Sequence, residues 1–555
     1  MVMDRRRFLR TGVVHAAGVG VGLSACAKHP GAAGVSAGEN PFQHGVASGD
    51  PLSDRIILWT RVSPLSTPFA PPLLNRAFES IRVDWWIARD RLGQEVVGRG
   101  RTEANSARDY TIKVDAEGLE PGSEYYFGFS TRDGESPVGR TRTLPVATTP
   151  HLRMAVTSCA NFPMGFFNVY RAIAARDDLE VVLHLGDYLY EYGDGQYGDG
   201  ATLGRMLDPI HEIITLEDYR RRHANYKSDL DLQAAHARHP WITVWDDHEI
   251  ANNASRDGAE NHDESEGEWQ NRKLSAIRAY YEWMPIRELP TQLFRRFRFG
   301  TLADLIMLDT RLHGRDEAAG YDDHEAASVP SRSLLGEDQT RWLLDSLSES
   351  KSSGTAWRII GQQVVFAPFT DGVSFFNPDS WDGYRENRRL LLDHLAQEEI
   401  DNVVFLTGDL HSAWAMEVPP PMTSDRVYDP VSGAGSQAVE FVTPAVSSPP
   451  LGHSPRARKI FEEIGDRIPH GKYMNLDENG FVILDLTHER ARAEFVYVDT
   501  TLEPSSATHP GPTLQTLSGT NQLLSTKDFS SRTRSSSSMT SLAGMAGRQR
   551  DTTDS

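Results

Sequence analysis

Cysteine is nearly absent. The 555-residue chain has two, Cys26 and Cys159, so a disulfide framework is excluded and the fold must rest on a buried apolar core. Long apolar runs are missing too, and no internal stretch reads as a transmembrane helix. There is no basic surplus either: 57 Lys and Arg stand against 77 Asp and Glu, a formal net charge of -20. That argues against a general nucleic-acid binder, whose affinity would rest on a basic surface. What is present, 39% hydrophobic and 24% charged residues, is the balance of a globular protein, and the length calls for two or more compact units.

The chain is organised around Ala155 to Tyr192, AVTSCANFPMGFFNVYRAIAARDDLEVVLHLGDYLYEY. An apolar strand ends at Ser158-Cys159. A helix follows with Phe166, Phe167, Val169, Tyr170 and Ile173 on its buried side, and Glu180 to Leu185 is a second apolar, β-branched run of the kind that forms a buried parallel strand. Such a βαβ unit projects the residues beyond its strand ends into one crevice, which brings Cys159, Asp187 and Tyr190 together. A thiolate, a carboxylate and a phenolate in one pocket repel each other unless a highly charged cation compensates, so the pattern reads as a metal site. Two more strand ends carry polar donors. Pro240 to Trp245 leads into Asp246, Asp247, His248, Glu249, Asn252 and Asn253; Asn402 to Thr407 leads into Asp409, His411 and Ser412.

These blocks, SCAN, GDYLYEYG, WDDHE and TGDLHSAW, together with HGVASGDP at His44 to Pro51, resemble the PhoD family of alkaline phosphatases and phosphodiesterases over roughly residues 40 to 500. The resemblance implies ferric iron held by Cys159, Asp187, Tyr190 and His411, with Asp187 bridging to a second site. Tyr188 and Tyr192 are the alternatives to Tyr190. Asp247 and His248 match the motif that supplies a ligand and a phosphate-facing acid; Asp246 and Glu249 read as loop-orienting, and Asn252 as a further ligand candidate. Asp409 replaces the first histidine of the usual GHxH block, which moves preference from zinc towards calcium. Iron and calcium are thus the expected cofactors. Arg385, in WDGYR, is a candidate phosphate contact, with an ordinary ion pair as its competing reading, and Asp382 beside it is a candidate calcium ligand. Asp309-Thr310-Arg311 reads as a structural strand end. His184 reads as a core histidine.

The organisation expected is a signal over residues 1–27, a flexible linker over 28–39, a β-sandwich domain over 40–145, a catalytic domain over 150–502 and a disordered tail over 503–555. Asp4 to Arg10 resembles a twin-arginine export signal, and Leu23-Ser24-Ala25-Cys26 fits both a lipobox, with a lipid anchor at Cys26, and ordinary cleavage. Export machinery is therefore an expected partner, and the expected location is periplasmic, secreted or lipid-anchored. Short alternating runs at Arg55 to Val62, Ile81 to Ile87 and Tyr110 to Val114 predict an immunoglobulin- or fibronectin-III-like sandwich, with Tyr125 after a Leu-x-Pro-Gly turn bonding back to the backbone. Alternating strands and helices after residue 150 predict an α/β layered fold, which the resemblance sharpens to a four-layered αββα metallophosphatase domain. The polar loop Ser255 to Glu268 and the Pro/Ser-rich stretch Thr443 to Pro455 are expected to rim the site.

The function these features imply is hydrolysis of phosphate esters by metal-activated water, with His248 as proton donor and no covalent phosphoenzyme. A diesterase acting on lipids or cell-wall polymers is the alternative. A non-catalytic surface-binding protein is a third reading, which the retention of every donor argues against.

Overall fold

The computed structural model describes residues 40–64, 80–288, 292–320, 323–369, 377–421, 424 and 427–526. The expected signal, the linker, Cys26 and the last 29 residues of the tail lie outside the described residues. No described helix is long and apolar enough to cross a membrane.

The apolar, β-branched runs pair as buried parallel strands. Leu152–Thr157, Val181–His184 and Pro240–Thr243 lie side by side, with Val182 between Ala155 and Trp241. Between the first two, helix Asn168–Ala174 buries Val169, Tyr170 and Ile173 behind Phe167. Phe166, read as buried, is half-exposed at the helix entry. These strands sit inside a ten-stranded sheet. From edge to edge it runs Leu524–Thr526, Thr508–Leu517, Arg490–Val498, Gly480–Leu486, Leu152–Thr157, Val181–His184, Pro240–Thr243, Val46–Gly49, Arg55–Arg61 and Thr111–Glu117.

A second, seven-stranded sheet runs Arg295–Phe299, Ala303–Met307, Trp357–Gln362, Val403–Thr407, Ala438–Val442, Ala413–Val418 and Gly471–Asn475. Its four central neighbours from Ala303–Met307 to Ala438–Val442 are parallel. One apolar cluster joins Met154, Val182 and Leu183 of the first sheet to Leu305, Ile359 and Val404 of the second, so the sheets pack face to face. Helices Gly336–Ser352 and Arg385–Gln397 bury Leu343, Leu347, Leu391 and Leu395 against Ile306, Ile360 and Phe405 on the far side. The first sheet is backed by helices Asn168–Ala174 and Leu230–Arg238 through Tyr170, Leu232 and Ala235. Helix, sheet, sheet, helix is the expected four-layer order.

The amino-terminal segment is a sandwich with one departure from expectation. Its free layer runs Val96–Ala104, Ile81–Ala88, Glu124–Thr131 and Gly134–Glu135, with Gly139–Arg142 also on Glu124–Thr131. The Tyr125 hydroxyl accepts from the Glu120 backbone N–H at 2.8 Å, which pins the corner. The opposing layer is not closed, because Ser48 pairs in parallel with Pro240 and its three strands continue the catalytic sheet. An edge strand left unpaired is a liability, and here each unit covers the other's edge. Asp50 reinforces the seam, accepting from Arg295 Nη2 at 2.8 Å and from the Arg287 N–H at 2.8 Å.

The reading of 503–555 as disordered is corrected over its first part. Thr508–Leu517 pairs antiparallel with Arg490–Val498, and Leu524–Thr526 adds a further strand. The sequence hides this because THPGPTLQTL has few apolar residues and two prolines. Pro510 lies opposite Val496, where the register shifts between Glu494 and Val496.

Candidate metal centre

Every donor-bearing loop leaves the carboxyl end of a parallel strand, and four of its residues adopt left-handed backbone conformations. Cys159 has φ 62°, Asp187 54°, Asp409 58° and His411 52°. Such residues cost on the order of 1–3 kcal/mol each and persist where surrounding bonds over-determine them. Here they do. The Cys159 and Ala160 N–H groups donate to the Gly186 and Asp187 carbonyls. The buried Glu249 carboxylate accepts from the N–H groups of Asp187 (3.0 Å), Tyr188 (2.7 Å) and Asp246 (2.8 Å), tying two loops to one side chain. Gly186 is required by the same crowding: its φ is +102°, and a Cβ there would lie 2.3 Å from the Asp246 Cβ.

The candidate ligands form three overlapping groups whose donor atoms lie within 4.8 Å of one another: Cys159, Asp187 and His411; Asp187, Asp247 and His248; and Asp187, Asp246, Asp247 and Asp409. Asp187 is common to all three. Tyr190 joins them through its hydroxyl, 3.1 Å from Asp187 Oδ2, 3.0 Å from His411 Nε2 and 2.7 Å from Ser448 Oγ. Of the two alternatives to Tyr190, Tyr188 points elsewhere. Tyr188 bonds to His236 Nε2 at 2.9 Å in the core, and Tyr192 packs on Tyr197 and His248.

All of this is buried, apart from a half-exposed His411. Burial, reinforced by the Asp187 charge, pushes the Cys159 thiol and the Tyr190 phenol well above their ordinary values. Burial also raises Asp187, against the pull of His248 and with the repulsion of Asp246, Asp247 and Glu249. Asp187 Oδ1 is buried with no hydrogen-bond partner. A basin that raises Cys159, Tyr190 and Asp187 and leaves a carboxylate oxygen unsatisfied is built for a cation of high charge, and a carboxylate, phenol and thiol set suits a hard, trivalent ion on one side and oxygen-preferring divalent ions on the other.

His248 is held differently. Its Nδ1 lies 2.7 Å from Glu191 Oε2, while Glu191 Oε1 accepts from the Asn252 N–H and from Asn261 Nδ2. Burial works to lower the His248 pKa, and Asp247, Glu191 and Asp187 outweigh it and hold it well above the usual value.

Three expectations change. Asp246, read as loop-orienting, lies within the four-carboxylate group. Asn252 is tied to Glu191 through its backbone N–H and to Glu260 through its side-chain NH2 (3.1 Å). Arg385 meets His324 Nδ1 at 2.9 Å, and neighbouring Asp382 accepts from the Phe369 N–H and from Arg388. The arginine inside the basin is Arg311, from a strand end read as structural. The roles of Glu191, Arg311, Asp379 and Ser448 escaped the sequence reading. The strand-end rule that found Cys159 would have found Arg311, since it follows the apolar strand Ala303–Met307. The expected rims partly line the site: Ser447 and Ser448 N–H groups donate to the Cys159 carbonyl, and Asn261 reaches Glu191.

Two facing sheets with a basin of carboxylate, imidazole, phenol and thiol donors at their strand ends define the metallophosphatase class of fold. Within that class the chain belongs to the PhoD-like phosphatase family, whose catalytic domain matches residues 154–495 and whose N-terminal domain matches residues 25–145. It is 37% identical over 527 residues to alkaline phosphatase D of Bacillus subtilis (strain 168), covering 91% of this chain and 86% of that protein. A solved structure of PhoD superposes with a TM-score of 0.77 at 32% identity, covering 90% of this chain and 94% of the other.

Proposed function

We propose that this chain is an exported, metal-dependent hydrolase of phosphate esters. The observation that carries the reading is the sharing of Asp187 among three donor groups in one buried basin, the layout a two-ion phosphoesterase requires, in a chain of the PhoD-like phosphatase family. Cys159, Asp187, Tyr190 and His411 would hold one ion, and Asp187, Asp247 and Asp409, with Asp246 in reach, the other; ferric iron and calcium match these donors best. When bound, the ions supply Lewis acidity and an activated water.

The chain's own residues do the rest. Glu191 orients His248 and stabilises its protonated form, so that Nε2 carries a proton to the departing oxygen. Asn261 holds Glu191 in place. The Thr443 to Ser448 stretch, bonded to Cys159 and Tyr190, closes the base of the basin against water. The twin-arginine pattern and the fit of a phosphoesterase to scavenging outside the cell support an exported role in phosphate acquisition.

Parallel assays on an aryl phosphate and a bis-aryl phosphate, before and after chelation, test this. Hydrolysis that is lost on chelation and restored by iron and calcium supports the reading, and the ratio of the two rates separates monoesterase from diesterase. Activity indifferent to chelation, or full recovery on zinc with no bound iron, rules out the metal assignment.

A further inference from the structure

One buried side chain of the basin is a cation that metal coordination does not use. Arg311 is fully buried. Its Nε donates to Asp246, and its Nη1 and Nη2 meet the two oxygens of Asp379 at 2.9 and 3.2 Å. The same Nη2 lies 3.6 Å from Asp409 and 3.7 Å from Asp247. Those last two separations exceed a hydrogen bond. The guanidinium is thus fastened at its rear and flank, and its remaining edge faces the carboxylates of the ion site.

The fastening is built in layers. Asp309 Oδ1 accepts from the N–H groups of Arg311 and Leu312 (2.9 and 2.8 Å), which fixes the backbone. Asp379 is itself gripped by Arg315 Nη2 at 2.6 Å, and Arg315 also donates to the Thr310 and Asp379 carbonyls. Two buried arginines therefore share one aspartate, which fixes the Arg311 guanidinium with Nη2 towards the basin. An arginine keeps its charge when buried.

From this geometry we propose that Arg311 binds a non-bridging oxygen of the substrate phosphoryl group and that Asp379 is its positioning residue; the inference rests on the phosphate-ester reading above. Asp247 and Asp409 are the groups that turn to the ions, and the Nη2 edge then needs a different anion. A phosphoryl oxygen held beside the same ions supplies it, accepting from the Nη2 N–H that Asp379 leaves over. A fixed monovalent cation stabilises the dianion of a monoester more than the monoanion of a diester, so Arg311 also biases the site towards monoesters.

The test uses metal-replete full-length enzyme and measures inorganic phosphate affinity by calorimetry, with metal content and KM and kcat for the aryl and bis-aryl phosphates alongside. Arg311→Met should retain its metals, because no ligand is removed, and bind phosphate about tenfold to a hundredfold more weakly, the value of one charge-assisted hydrogen bond. Its KM should rise more for the monoester than for the diester. Asp379→Asn should weaken phosphate in the same direction and add little in the Arg311→Met background, since the two act as a unit. Unchanged phosphate affinity in folded, metal-loaded Arg311→Met overturns the proposal, and if that variant does not fold, unchanged affinity in Asp379→Asn overturns it instead. A wild type that is inert to both esters and blind to phosphate takes the parent reading down as well; active wild type with unaffected variants removes the Arg311 assignment alone.

Discussion

Glu249 offers the sharpest test of how the basin is held open. Its carboxylate accepts three backbone N–H groups from two loops, two at Oε2 and one at Oε1. Glu249→Gln preserves shape and leaves only one acceptor oxygen. If that oxygen takes the Oε2 position, the Tyr188 N–H faces an amide N–H; if it takes the Oε1 position, the Asp187 and Asp246 N–H groups both do. At least one charged hydrogen bond becomes a buried donor–donor contact, a loss of about 2–4 kcal/mol once the stranded N–H is counted. Because Asp187 is held at φ 54° and shared by every donor group, relief of that contact displaces the central ligand. A misplacement of about 1 Å is worth roughly a hundredfold in rate. The expected outcome is a lowered urea midpoint, reduced metal content and kcat/KM down by about two orders of magnitude, with Glu249→Asp affected as well because it keeps the charge and loses the reach. A Gln variant with wild-type stability, metal content and rate would refute the reasoning.

The remaining predictions concern the ion, the route out of the cell and pH. Iron-loaded enzyme should show a visible charge-transfer band that Tyr190→Phe removes or shifts, while Tyr188→Phe leaves it in place because Tyr188 faces His236; a colourless iron enzyme, or a band lost only with Tyr188, would count against the ligand assignment. Replacing Arg5 and Arg6 with Lys should block export in cell fractionation, and unchanged export would assign another route. Asp485 is held below the usual carboxylate range, since His151 and Arg153 outweigh the burial that would raise it, and the Asp485 hydrogen bond raises His151 in turn. The Asp485 contribution is therefore present above its unfolded pKa near ~3.9 and fades as pH falls through the lower folded value, while the His151 part is full below ~6.5 and fades as pH rises through its raised value. Asp485→Asn should lower the unfolding midpoint most between about pH 4 and 6.5 and least in strong acid; a pH-independent difference would show that packing, not charge, is responsible.

Legibility followed range in the chain. The βαβ unit from Leu152 to His184 was readable because its strands are buried on both faces and so consist of unbroken apolar runs, and the strand-end rule placed Cys159, Asp187 and Tyr190 together before any coordinate was known. Tyr125 was readable because a corner is a local device. Thr508–Leu517 was not, because a strand near the sheet's margin needs backbone partners more than apolar side chains, and its prolines mask it.

The sequence by itself determined the class of fold, the order of the donor blocks and the deep apolar strands that carry them, because periodicity and strand-end chemistry are written in neighbouring residues. Only the tertiary structure decided which of several nearby donors face the basin. Arg311 rather than Arg385, and Asp246 inside the carboxylate group rather than behind it, follow from left-handed backbone at Cys159, Asp187, Asp409 and His411 and from bonds spanning 60 residues or more, such as Asp187 to Glu249 and Arg311 to Asp379. A side chain's direction at a loop is set by the bonds that over-determine its backbone, and those bonds reach it from elements that no local pattern identifies.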